Sequence, residues 1–478
     1  MAAPPRTAKA LDRAIVEGPI PRAVWKLAWP TMLQNVIAGI QGVVDHALVG
    51  RFVGFTGNAA IGVSLQIFIV VIVFLNSLFT GMSVLVARFA GANEPEKVNR
   101  TVYQAFIASV AICFGVLAPL GWALSPMLLR LVNATPAVRA EALPYLRTMF
   151  VFGFGMMLFF MFSAALRSAG DARTPLRLGI VLTALNVIFN VIFIRGWGPI
   201  PAYGTLGAAI GVSVAGGIVC LIALYLLCSG RLVVVWKFGH GGMDWRPDWT
   251  IIGALFRFGL PTGVQGIAMN VGGVLLLRYI GSVAQSAEAQ AAYAVGYTEL
   301  FSLITWTSVG LLGAAATVAG QNLGAGKPER AIHGVHVTAG IGLSVAATVA
   351  VLFLTIPDTL LGLFGMSDPA VVGIGKQLLR FLSLSGLFVT VALTYTGALQ
   401  GSGDTKSPLY ISLISQLLLP IGLCAFLNST RRLEPADIWL AILLGHFTRC
   451  LLSILRFRQG KWRGIRVDLD PKRERNPA

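Results

Sequence analysis

Charge is scarce in this chain. Asp, Glu, Lys and Arg make up 12% of its 478 residues, where a soluble domain carries about a quarter. So few charges cannot cover a water-facing surface, which excludes one large soluble core. Acids are scarcest, 20 against 37 Lys and Arg, for a formal net charge of +17. The five cysteines, Cys113, Cys220, Cys228, Cys424 and Cys450, fall in or beside apolar runs without metal-ligand spacing and read as small hydrophobes in helices. Of the five histidines, His333 and His336 stand three apart but lack a third ligand, so no metal site is expected. No Walker-type phosphate loop occurs, since Gly324-Ala325-Gly326-Lys327-Pro328 is not one, and no nucleophile–base motif appears. An enzyme, a resident cofactor and ATP as the direct energy source are therefore not expected. The polar first 26 residues show no cleavable signal pattern.

What is abundant is apolar sequence: 56% of residues are hydrophobic and the mean hydropathy is +0.76. Runs of this kind recur at 27–50, 59–86, 101–124, 145–169, 175–196, 203–228, 253–280, 289–319, 333–357, 377–400, 408–428 and 436–456. Roughly 20 residues of helix cross the hydrocarbon layer. The runs are continuous rather than alternating, which argues against a barrel. The expected fold is an all-α polytopic membrane protein of about 12 transmembrane helices.

Basic residues set the orientation. Most of the 37 fall in the terminal segments and the even-numbered connections, so both termini are expected in the cytoplasm. This placement also accounts for the positive charge through membrane lipids rather than nucleic acid.

The chain reads as a duplicated unit. Gly91-Ala92-Asn93-Glu94-Pro95-Glu96-Lys97 aligns with Gly324-Ala325-Gly326-Lys327-Pro328-Glu329-Arg330. At the same offset, Gly170-Asp171-Ala172-Arg173-Thr174-Pro175 aligns with Gly403-Asp404-Thr405-Lys406-Ser407-Pro408, and a weaker match sets Trp29-Pro30 against Leu260-Pro261 two residues out of that register. An even number of helices per copy keeps the two repeats parallel, related by an axis along the membrane normal. The expected organisation is a cytoplasmic segment at 1–26, a six-helix lobe at 27–230, a cytoplasmic linker at 231–252 containing His240, a second six-helix lobe at 253–456, and a basic tail at 457–478.

Leu27-Ala28-Trp29-Pro30, Val44-Asp45-His46-Ala47-Leu48-Val49-Gly50, Gln321-Asn322-Leu323-Gly324-Ala325-Gly326 and the repeated Gly-Asp-x-x-x-Pro loop resemble the multidrug and toxic compound extrusion (MATE) family. The resemblance implies two parallel six-helix lobes around a central cavity, and export of organic compounds driven by inward flow of H⁺ or Na⁺. It is strongest toward the bacterial DinF-like branch, with departures. The seventh-span glutamate of other branches is replaced by Met269, beside Asn270, and the fifth-span Asn-x-x-x-Asp pattern becomes Asn186-x-x-x-Asn190. The implied setting is the bacterial inner membrane, with a monomer as the working unit.

An ionisable residue inside a span is a functional candidate by default, because a charge there costs about 2.5–3.5 kcal/mol on insertion scales. Asp45 is the strongest. A buried carboxyl can exchange a proton near neutral pH, since desolvation disfavours its charged form; with amide oxygens it could instead ligate Na⁺. Asn186 and Asn190, four apart on one helical face, are its expected helpers. The competing reading ends the helix with an Asp45–Arg51 pair. Glu299 is the one acid well inside the second lobe's spans. Tyr293, Tyr297 and Trp306 accompany it as a wall for an organic cation, against an alternative pairing with Arg278 or Lys376. Gln34, Asn35, Gln265, Met269, Asn270, Met157 and Met161 complete the candidate cavity set. The expected function is a secondary active exporter of amphipathic compounds working by alternating access. The alternative is a flippase for a lipid-linked cell-envelope precursor, which a strongly basic cavity would favour.

Overall fold

The computed structural model describes residues 11, 13–236 and 246–467. His240 and part of the expected linker lie outside the described residues, as does most of the basic tail.

Each of the twelve expected apolar runs is helical. Ten helices among the described residues are long and apolar enough to cross a membrane, from Phe55–Gly91 to Pro435–Arg458. A further pair, Pro136–Phe152 and Phe154–Ser168, is bent by 47° and counts as one more span. Glycine is a common cause of such kinks, and Gly153 stands at the break. The first long helix, Ile20–Phe52, has 33 residues but is diluted by Gln34, Asn35, Gln41, Asp45 and His46. Its length of roughly 50 Å, at 1.5 Å per residue, is ample for a crossing.

The repeated loops match in conformation as well as sequence. Gly170 and Gly403 adopt φ of 101° and 96°, and Asn93 and Gly326 adopt 61° and 69°. At each, the next residue's N–H reaches back five residues, as in Asp171 to Leu166 at 2.8 Å and Asp404 to Leu399 at 2.9 Å. This is a Schellman stop, which requires a left-handed residue. The aspartates then start the following helix. Asp171 accepts from the Thr174 N–H and hydroxyl, and Asp404 from the Ser407 N–H and hydroxyl. Two copies of one turn are thus built from the same polar chemistry. Asp404 also takes Arg456 at 2.8 Å.

Two compact units result. The first comprises Val36–Leu260, and the second Ala14–Asn35 with Pro261–Arg466. The first unit's core runs from Val49 to Phe258. Its helices touch backbone to backbone where Gly81 meets Leu255 and Gly259 meets Ser77. The chain leaving the sixth span is not a loose tether. Leu232 to Trp236 are buried, Trp236 packs against Tyr103, Phe106 and Phe162, and Val235 N–H donates to Asn99 at 2.9 Å. Where the chain resumes, Asp248 bonds Gln104 and Arg100. In the second unit the helix Pro369–Ser402 is mostly buried, whereas Pro95–Leu131 in the first is mostly exposed. Pro369–Ser402 packs against the helices Ser302–Gly324, Pro328–Thr355 and Pro435–Arg458 and is the central helix of its unit. The short Ala14–Glu17 helix is held by its carbonyls: Ile15 accepts from Asn322 and Arg330, and Val16 from Lys327.

Candidate functional site

The first and fifth spans of the first unit are joined by polar side chains. Gln41 and Asp45 stand one turn apart on the first, and Thr183, Asn186 and Asn190 occupy one face of the helix Arg173–Arg195. Asn190 Nδ2 donates to Asp45 Oδ1 at 2.8 Å and to Asn186 Oδ1 at 3.1 Å. Thr183 Oγ1 donates to Gln41 Oε1 at 2.9 Å. Asn186 and Asn190 are fully buried, while Asp45 is half-buried.

The carboxylate is poised rather than satisfied. Among the described residues its second oxygen accepts no hydrogen bond, and Arg51 is not its partner, lying instead against the Phe52 ring. Asn190 Oδ1 and Asn186 Nδ2 are also buried without partners among the described residues. Buried amide groups left unpaired are uncommon and call for an explanation such as an ion or a strained working site. Carboxylate and amide oxygens are hard donors of the kind a small cation takes, and a carboxylate can also take a proton. Tyr145 lies within electrostatic reach of Asp45, and His46 Nδ1 meets Asn58 Oδ1 at 2.6 Å.

Gly211, on the helix Thr205–Cys228, makes room for this arrangement, because a Cβ there would run into Asn190 Oδ1. Gly211, Gln41 and Thr183 escape the sequence reading. Gln41 and Thr183 are polar residues in apolar runs, a usable signal, but nothing in the sequence marks Gly211.

The other candidates are dispersed. Met157 and Met161 sit in the first unit's core at 3% and 0% exposure, with Ser109 Oγ 3.8 Å from Met161 Sδ. In the second unit, Gln34 is half-buried with an unpartnered Oε1, and Asn35 donates to the Thr31 carbonyl. Gln265 donates to Ser412 at 2.7 Å and accepts from Gln400, so it ties three spans together. Met269 and Asn270 are exposed, and among the described residues Asn270 bonds only its own helix at Gly266. Trp306 and Glu299 are half-buried. Lys376 pairs with Asp358 at 2.7 Å, not with Glu299.

Tyr293 and Tyr297 do come together, stacked at 4.9 Å, within a longer ladder. Trp439 stacks on Tyr293, Phe301 on Tyr297, and His446 on Phe301. The sequence reading gives no role to His446 or Arg449, although a basic residue inside the 436–456 run is a signal in its own right.

A tandemly repeated, all-α membrane protein with a half-open carboxylate–amide cluster between two of its spans defines a class: the repeat-built integral membrane transporters. The MatE family model matches twice, over residues 30–192 and 261–426, and the chain belongs to that family. It is 28% identical over 441 residues to the probable multidrug resistance protein NorM of Thermotoga maritima, covering 91% of this chain and 92% of that one. It is also 28% identical over 451 residues to the probable multidrug resistance protein NorM of Deinococcus radiodurans, covering 91% and 94%. Among solved structures, it matches one described as the outward-facing conformation of a multidrug resistance MATE family transporter of the MOP superfamily, with a TM-score of 0.87 at 20% identity over 96% of this chain and 100% of that one.

Proposed function

We propose that this protein is a secondary active exporter of amphipathic organic compounds, driven by inward flow of H⁺ or Na⁺ through a site centred on Asp45. The observation that carries this reading is the Asn186–Asn190–Asp45 chain of hydrogen bonds, with one carboxylate oxygen left open. A coupling group must bind and release its ion once per cycle, and among the described residues Asp45 is held in place without an ion pair to Lys or Arg. The names of the NorM relatives support organic compounds as the cargo. Asn186 keeps the first residue of the DinF-like branch's fifth-span Asn-x-x-x-Asp pattern while Asn190 stands where that branch has Asp, and with the seventh-span glutamate absent we place the chain nearest that branch. Tyr293, Tyr297, Trp306 and Glu299 are the residues proposed to meet a cationic substrate.

The test is efflux of a fluorescent amphipathic cation from proteoliposomes under H⁺ and Na⁺ gradients imposed separately. One of the two gradients is expected to drive export and the other not. Failure of both, together with movement of a lipid-linked sugar, would replace this reading with the flippase alternative.

A further inference from the structure

Arg449 lies well inside the last span, Pro435–Arg458, and its side chain is 2% exposed; His446, one turn earlier, is 3% exposed. A guanidinium does not lose its proton in proteins, and a charge in the hydrocarbon layer needs a partner. No carboxylate among the described residues provides one. Asp437, on the same helix, takes Arg431, and Asp404 takes Arg456. Among the described residues, Arg449 Nε and His446 Nδ1 have no hydrogen-bond partner, nor do Trp439 Nε1 and Ser453 Oγ. The spacing of these four residues puts them on one face of the helix.

The surroundings suit a negative guest. Tyr297 lies within electrostatic reach of Arg449, and Phe301 covers His446 at 5.7 Å. The opposing backbone is π-helical over Ala294–Leu300, a distortion frequent at functional sites.

We propose that Arg449 and His446, with Tyr297 and Phe301 as walls, form a buried site for a small monovalent anion of halide size. The guanidinium fork and an imidazole N–H donate to it, and the low exposure of both side chains excludes a bulky organic acid. The site belongs to the second unit and does not depend on the role of Asp45.

The test uses the full chain purified in detergent. Thermal unfolding is followed in sodium bromide and in sodium gluconate at equal ionic strength. The wild type should melt at a higher temperature in bromide, because a ligand that binds only the folded state stabilises it. Arg449→Met should melt at one temperature in both salts, and bromide-grown crystals should show an anomalous peak beside Arg449. Equal melting of the wild type in the two salts, a bromide rise retained by Arg449→Met, or a bromide peak found only elsewhere would each overturn the proposal. If Arg449→Met does not fold, Arg449→Lys decides. It keeps the charge but loses the fork, so its bromide rise should shrink, and an undiminished rise counts against the site.

Discussion

Asn190 donates both amide hydrogens inward, one to Asp45 at 2.8 Å and one to Asn186 at 3.1 Å. One side chain therefore fixes the position of the carboxylate on the first span from the fifth. The rest of the arrangement follows from that bond. With its donors spent, Asn190 is left with a carbonyl oxygen that has no donor, and the carboxylate with an oxygen open to an ion.

Replacing Asn190 with Ala removes that support. A hydrogen bond to a charged group is worth roughly 1.5–3 kcal/mol and this one favours the ionised carboxylate, so the half-saturating concentration should shift about tenfold or more, downward if H⁺ is the coupling ion and upward if it is Na⁺, which also loses the Asn190 amide oxygen. Maximal efflux at saturating ion should fall less. Titrating the driving ion against dye efflux measures both.

Gly211→Ala places a methyl against Asn190 Oδ1. Overpacking of this kind costs roughly 1–3 kcal/mol, and here the strain falls on the residue that holds Asp45. Efflux per inserted molecule should drop, while Gly217→Ala, on the same helix with open space around it, should behave as wild type. Equal efflux by the two variants would remove Gly211 from the account.

The Asp404–Arg456 pair should matter for stability. Asp404 is 6% exposed, and Arg456→Ala leaves its charge without that partner, a loss of roughly 3 kcal/mol. Arg463→Ala removes a pair to Glu329, whose side chain is 77% exposed, and should cost about 0–1 kcal/mol. Thermal unfolding of the two variants in detergent gives the comparison directly.

Local chemistry was readable from the sequence and distant packing was not. The four stop-and-start turns are made by residues within a few positions of each other, so Gly170, Asp171, Gly403 and Asp404 announced themselves. Run lengths marked the spans, because a bilayer of fixed thickness imposes them. Asn186 and Asn190 were legible through their four-residue spacing. Gly211 was not, since its contact depends on how the sixth span docks on the fifth. The break at Gly153 also escaped notice in a run that reads as continuous. The Trp439–Tyr293–Tyr297–Phe301–His446 ladder joins residues far apart in the chain, and only the folded second unit brings them into register.

Orientation can be checked independently. Asn93 and Lys327 are exposed in one set of connections, and Ala137 and Asp368 in the other. The distribution of Lys and Arg predicts that cysteines at the first two react only from the cytoplasmic side and those at the second two only from outside. A consistent exchange of the two groups would invert the topology.

The most direct measurement is gradient-driven efflux by Asp45→Asn, normalised to inserted protein and taken across external pH and Na⁺ concentration. Asn keeps the shape of the side chain but neither exchanges a proton nor offers a negative charge to Na⁺. The variant should fold with a melting temperature close to wild type, bind substrate and fail to couple its movement to either gradient. Undiminished export that still responds to pH or Na⁺ would contradict the role assigned to Asp45.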